Sequence, residues 1–171
     1  PGRREAPREP LLPTVPLIDP GALDPARIVR TREEIYAVCK QAGRFALLDG
    51  ILRFDPETED PTVGFKEIGD HEWWAEDHIP GRPIFPGALQ IEAAAQLCSY
   101  DFMHRRPDLE GQFVGFGGLN ATRFRRIVEP GVRLVLAAKV EKVRRTMFTY
   151  LTQGFVADKL VFETESMGGV G

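Results

Sequence analysis

The chain has 171 residues, 43% hydrophobic and 27% charged, the balance of a globular domain rather than a disordered segment. Its 22 basic and 25 acidic residues give a formal charge of −3, so the overall balance offers nucleic acid no attraction. Cys39 and Cys98 stand far apart and form no C-x-x-C pair, which excludes a zinc ribbon and a disulfide framework. The apolar runs are interrupted well short of the roughly 20 residues that a membrane span needs. The first residues, Pro1-Gly2-Arg3-Arg4, lead into no apolar core like a signal peptide's, so the cytoplasm is the expected location.

Seven of the 14 prolines fall in residues 1–26, a segment expected to run extended, either loose or draped over a domain spanning 27–171. From Thr31 to Gln41, the positions of Ile35, Val38 and Cys39 predict a short amphipathic helix. Thr31 and Glu34 stand at the spacing of a capping box, and Gly43 is a plausible stop. Phe45 to Phe54 reads as a strand, Thr58-Glu59-Asp60-Pro61 as a turn, and Thr62 to Ile68 as a second strand. Gly87 to about His104 is apolar on nearly every face, the pattern of a helix buried on all sides. Strand-like runs follow at Gln112–Phe116, Asn120–Val128, Arg133–Val143, Thr146–Val156 and Lys159–Thr164. Turns at Pro130-Gly131, Arg144-Arg145 and Ala157-Asp158 suggest antiparallel hairpins. The expected class is α+β, a curved antiparallel sheet wrapped around one central helix.

Chemistry concentrates at that helix. Glu92 and Gln96 interrupt its apolar surface at i, i+4, so Gln96 can hydrogen-bond and orient the carboxyl group. A carboxyl in an apolar setting is a candidate general acid, although a boundary glutamate or a structural ion pair fits the helix alone equally well. Before the helix, residues 78–87 (HIPGRPIFPG) hold three prolines and two glycines, a stiff loop whose second glycine, Gly87, stands at the helix start. First-turn N–H groups lack intrahelical partners, and the helix dipole adds positive potential, so a carbonyl gaining negative charge would be stabilised there. His78, ahead of this loop, is a candidate base.

Residues 78–96, HIPGRPIFPGALQIEAAAQ, resemble the active-site signature of the (3R)-hydroxyacyl-[acyl-carrier-protein] dehydratases, hot-dog fold enzymes of fatty-acid synthesis. The resemblance extends more weakly from about Phe45 to Glu165. It places the family's histidine on His78, its acid on Glu92, its carbonyl-binding glycine N–H on Gly87 and its supporting glutamine on Gln96. Glu at position 92, rather than Asp, resembles the dehydration-only branch. Ile79 and Asp77 depart from the usual Phe and Gly beside the histidine, and Gln41-Ala42 replace a His-Arg pair. The resemblance does not extend to the Pro-rich segment.

The resemblance implies that His78 removes the C2 proton of a 3-hydroxyacyl thioester while Glu92 protonates the departing hydroxyl, giving a trans-2-enoyl thioester and water. It also implies a homodimer, or a trimer of dimers, in which the two groups come from different subunits. No metal or organic cofactor is expected; the substrate arrives on the phosphopantetheine of an acyl carrier protein. The alternatives are a hot-dog thioesterase and a non-catalytic acyl-binding subunit. Arg123, Arg125 and Arg126, with Arg144 and Arg145, read as solvated strand edges or as a dock for the acidic carrier protein. His71 is expected to face solvent, His104 with Arg105 and Arg106 to cap the helix C-terminus, and Cys98 to pack in the core. Trp73 and Trp74 belong either to the core or to a tunnel wall.

Overall fold

A computed structural model describes residues 14–171. Seven strands form one antiparallel sheet: β1 (Arg30–Thr31), β2 (Gly50–Arg53), β3 (Thr62–Ile68), β4 (Val114–Phe124), β5 (Val132–Arg144), β6 (Met147–Val156) and β7 (Lys159–Val170). Their spatial order is β1-β2-β3-β5-β6-β7-β4. The 19-residue helix α2 (Gly87–Arg105) packs against strands β3 to β7, and the short α1 (Arg32–Val38) lies beside it. Leu97, Cys98, Tyr100 and Phe102 of α2 are fully buried against Leu134, Leu136, Phe148 and Phe162 of the sheet. This is the α+β arrangement that the pattern predicts, one antiparallel sheet packed on a central helix, and it agrees with the hot-dog fold that the resemblance implies.

Several elements form where their residues demand. Thr31 caps α1 through a reciprocal box: its hydroxyl accepts from Glu34 N–H, and the Glu34 carboxylate accepts from Thr31 N–H at 2.7 Å. Strand β3 occupies the predicted residues. Strands β5, β6 and β7 run as consecutive antiparallel neighbours, joined by the predicted turn at Ala157-Asp158 and by one at Arg145-Thr146, a residue later than predicted because Arg144 still pairs with Met147. His71 is exposed and Cys98 is buried, as expected.

Other boundaries differ for identifiable reasons. Helix α1 ends at Val38 because Cys39 turns extended and drops its thiol into the core, where it donates to Gln96 O at 3.6 Å. Gly43, expected as a helix stop, instead starts a 3-10 turn that ends at Phe45. The strand expected over Phe45–Phe54 shrinks to Gly50–Arg53, since side chains take the backbone groups before it. Gln96 bonds Phe45 O and Leu47 N, while Tyr36 takes Leu48 N.

The two strands expected at Gln112–Phe116 and Asn120–Val128 are one edge strand, β4, with irregular register on either side of Gly118. It pairs with β7 rather than with β5, so no hairpin joins it to the next strand in sequence. Strand β7 continues past Thr164 to Val170 to make that pairing. Arg105 is not simply a cap at the end of α2. It turns back to the fully buried Asp101, which also accepts from Thr62 and Tyr150, and donates to the carbonyls of Pro56 and Thr58. Paired this way, the buried carboxylate ties the last turn of α2 to the sheet and to the 56–58 turn.

Residues 14–26 drape over the sheet; the expectation for residues 1–13 lies outside the described residues. Ile18 is buried with Leu52, Val63, Phe65, Ala137 and Phe155 in a second apolar cluster. Gln153 holds the strap in register, accepting from Leu17 N–H at 2.7 Å and donating to Val15 O at 3.0 Å.

Candidate active site

The loop before α2 is fixed at both ends. Phe85 is buried against Trp74, with ring centroids 5.4 Å apart, and its N–H donates to Val128 O at 2.7 Å. Ile84 N–H donates to His78 O at 2.8 Å, closing the loop on itself. His78 is exposed in the single chain, and its Nδ1 lies 2.7 Å from Ile84 O. A carbonyl can only accept, so Nδ1 carries a hydrogen; in the neutral ring, Nε2 then presents a lone pair.

Pro86 is the N-cap of α2 and offers no side-chain acceptor, and the first turn contains no acidic residue. Gly87 N–H makes no described hydrogen bond, so this donor and the positive end of the dipole remain unclaimed. The missing side chain at Gly87 also makes room for a neighbour. A Cβ there would lie 2.7 Å from the Phe124 ring, which packs over the helix start from β4.

Glu92 is half-buried five residues further along, about 7.5 Å up the helix axis from Gly87. The Gln96 hydrogen bond predicted from the i, i+4 spacing is present: Gln96 Nε2 donates to Glu92 Oε1 at 2.8 Å. Gln96 is itself fully buried. Beside them, burial pushes the Cys39 thiol up to about 12, with the Glu92 carboxylate adding to the effect, so Cys39 is a neutral neighbour at neutral pH. Glu92, Gln96 and Gly87 thus share one helix. His78 lies on a separate loop, with no described hydrogen bond to Glu92.

Tyr36, which joins this cluster by donating to Gln96 Oε1 at 2.6 Å, was not apparent from the sequence. The available signal was a hydroxyl next to Ile35 on the buried side of a short helix, where it needs a partner. Of the two tryptophans, Trp74 is core, while Trp73 is exposed and lies 6.3 Å from the Phe45 ring. Arg125 is engaged by Glu163 at 2.8 Å and by Thr14 at 2.6 Å. Arg123 is half-buried on β4, whereas Arg126 is exposed and has no ion pair among the described residues.

Residues 40–165 match the FabA-like domain family. The chain is 31% identical over 152 residues to the 3-hydroxyacyl-[acyl-carrier-protein] dehydratase FabZ of Desulfotalea psychrophila, covering 88% of this chain and 95% of that one. It is 36% identical over 127 residues to the FabZ dehydratase of Syntrophobacter fumaroxidans, covering 74% and 84%. Among solved structures, the dehydratase heterocomplex ApeI:P of Xenorhabdus doucetiae superposes with a TM-score of 0.64 at 13% identity, over 80% of this chain and 90% of that one, a likeness of fold. With its signature loop and helix inside the matched span, this chain belongs to the FabA-like, 3-hydroxyacyl-[acyl-carrier-protein] dehydratase family.

Proposed function

We propose that the chain dehydrates (3R)-hydroxyacyl thioesters carried on acyl carrier protein to trans-2-enoyl thioesters, a hydro-lyase step of fatty-acid or related acyl-chain synthesis. The observation that carries the reading is the tautomer of His78. Its Nδ1–H is tied to Ile84 O, which leaves Nε2 to act as a base. The thioester carbonyl binds at Gly87 N–H, where the helix dipole stabilises the enolate-like charge that develops as the C2 proton leaves. His78 Nε2 takes that proton, Glu92 donates its own to the departing 3-hydroxyl, and water is released. This route uses side chains and one backbone donor, with no metal or organic cofactor; phosphopantetheine carries the acyl chain. The reaction is assigned to the cytoplasm, and no helix among the described residues is long and apolar enough to cross a membrane.

The working unit is a homodimer, alone or in a trimer of dimers, in which His78 of one chain serves Glu92 of the other. Three features support the assembly: His78 is exposed, β4 is an edge strand paired only with β7, and Phe116 and Phe124 on it and Phe113 just before it are 50%, 50% and 67% exposed. A long apolar edge of this kind favours pairing with another chain.

Incubation with a 3-hydroxyacyl thioester tests the function when conjugated-enoyl absorbance and free thiol are followed together. Enoyl product without thiol supports a dehydratase. Thiol without enoyl product identifies a thioesterase, and neither product identifies a binding subunit.

Arg126, with Arg123 and Arg125 nearby, is the proposed dock for the acidic carrier protein. Arg126→Glu is expected to reduce turnover of a carrier-linked substrate several-fold at low salt, to leave a short free thioester unaffected, and to matter less as salt is raised, since exposed charge is screened within roughly 10 Å. Equal loss on both substrates would remove Arg126 from the docking surface.

A further inference from the structure

The Gln96 side chain has four hydrogen-bonding positions, and all four are filled. Oε1 accepts from the Tyr36 hydroxyl at 2.6 Å and from Leu47 N–H at 3.2 Å. Nε2 donates to Phe45 O at 2.7 Å and to Glu92 Oε1 at 2.8 Å. Two backbone groups settle which end of the amide is which, because Leu47 N–H can only donate and Phe45 O can only accept. The Tyr36 hydroxyl accepts from Leu48 N–H at 2.7 Å, and this aims its own hydrogen at Gln96 Oε1.

The orientation of the amide has a consequence for the acid. With Gln96 N–H facing it, Glu92 Oε1 is occupied as an acceptor, so a transferable proton belongs on Oε2, which has no described partner. A reversed amide would turn Gln96 Oε1 toward Glu92, where it would hold that proton instead of leaving it for a substrate. The short Tyr36 bond also polarises the amide and strengthens the N–H donor at its other end. Burial pushes the Tyr36 hydroxyl well above the usual tyrosine range, so it stays a donor at neutral pH.

We propose that Tyr36 is a positioning residue for the acid: held by Leu48 N–H, its hydroxyl joins Leu47 N–H and Phe45 O in holding the Gln96 amide, whose N–H directs the Glu92 proton to Oε2, the oxygen open to a departing hydroxyl. The inference rests on the reading of Glu92 as the general acid. Tyr36 touches no substrate and acts only through Gln96.

The test compares wild type, Tyr36→Phe, Gln96→Met and the double variant on a 3-hydroxyacyl thioester, with melting temperature recorded for each. Tyr36→Phe is expected to lower kcat about fivefold to tenfold, the rate equivalent of one lost hydrogen bond, with KM changed less than about twofold. In the Gln96→Met background, the same substitution is expected to cost no further kcat, because the pathway from Tyr36 to Glu92 is already cut. If phenylalanine is not accommodated, Tyr36→Met fills the space without the hydroxyl and is expected to give the same pattern. Wild-type kcat in a folded Tyr36→Phe protein would overturn the proposal. So would equal losses in both backgrounds, or a raised KM at unchanged kcat. Absence of enoyl product from wild type would instead defeat the functional reading itself, before any variant is compared.

Discussion

Glu92→Gln is expected to lower dehydration by about 10²–10⁴-fold, the usual worth of a positioned general acid, while the protein stays folded. Glutamine has the same shape, and its carbonyl oxygen can still accept the Gln96 N–H that now bonds Glu92 Oε1. What disappears is a proton that can be transferred to a departing hydroxyl. Steady-state kinetics beside a thermal melt separates the two effects. Near-normal turnover in the folded variant would assign the acid role elsewhere.

A loss of the same order, about 10²–10⁴-fold, is expected for His78→Ala, which removes the base that takes the C2 proton. The substitution also deletes the Nδ1–H bond to Ile84 O, but the loop keeps its backbone bond from Ile84 N to His78 O and its buried Phe85 anchor. The fold should therefore survive. The fall should appear chiefly in kcat, because the Gly87 N–H proposed to bind the carbonyl remains. A folded His78→Ala protein with wild-type kcat would leave the C2 proton to another group.

The central helix and its Glu92–Gln96 contact were legible because they depend on local pattern. An all-round apolar helix, a glycine at its start and an i, i+4 Glu-Gln pair can be read from spacing alone, and Glu92 and Gln96 do meet as that spacing requires. Strand β3 was equally readable, bounded by Pro61 and carrying Val63, Phe65 and Ile68. The stretch before β2 was not. Phe45, Leu47 and Leu48 have strand-like side chains, but their backbone groups bond Gln96 and Tyr36, contacts spanning up to 51 residues. Strand β4 was split in the reading at residues 117–119, whereas the structure runs a continuous edge there with irregular register against β7. Arg105 looked like a simple helix cap because its i, i+4 spacing from Asp101 does not show that Thr62 and Tyr150 close over that carboxylate from the sheet. In each case a distant partner decided the outcome.

The central claim is that one site draws its base and its acid from two chains. It is tested most directly by mixing two inactive proteins. His78→Ala and Glu92→Gln chains are unfolded together in equal amounts and refolded, and heterodimers are verified by distinct tags. Under random pairing about half the dimers are mixed, and in each of these one site receives both defects while the other receives an intact His78 and an intact Glu92. Recovered activity is therefore expected to approach about one quarter of wild type, provided the sites act independently. If both groups came from the same chain, no mixed dimer would hold an intact site. Verified heterodimers without recovered activity would contradict the claim.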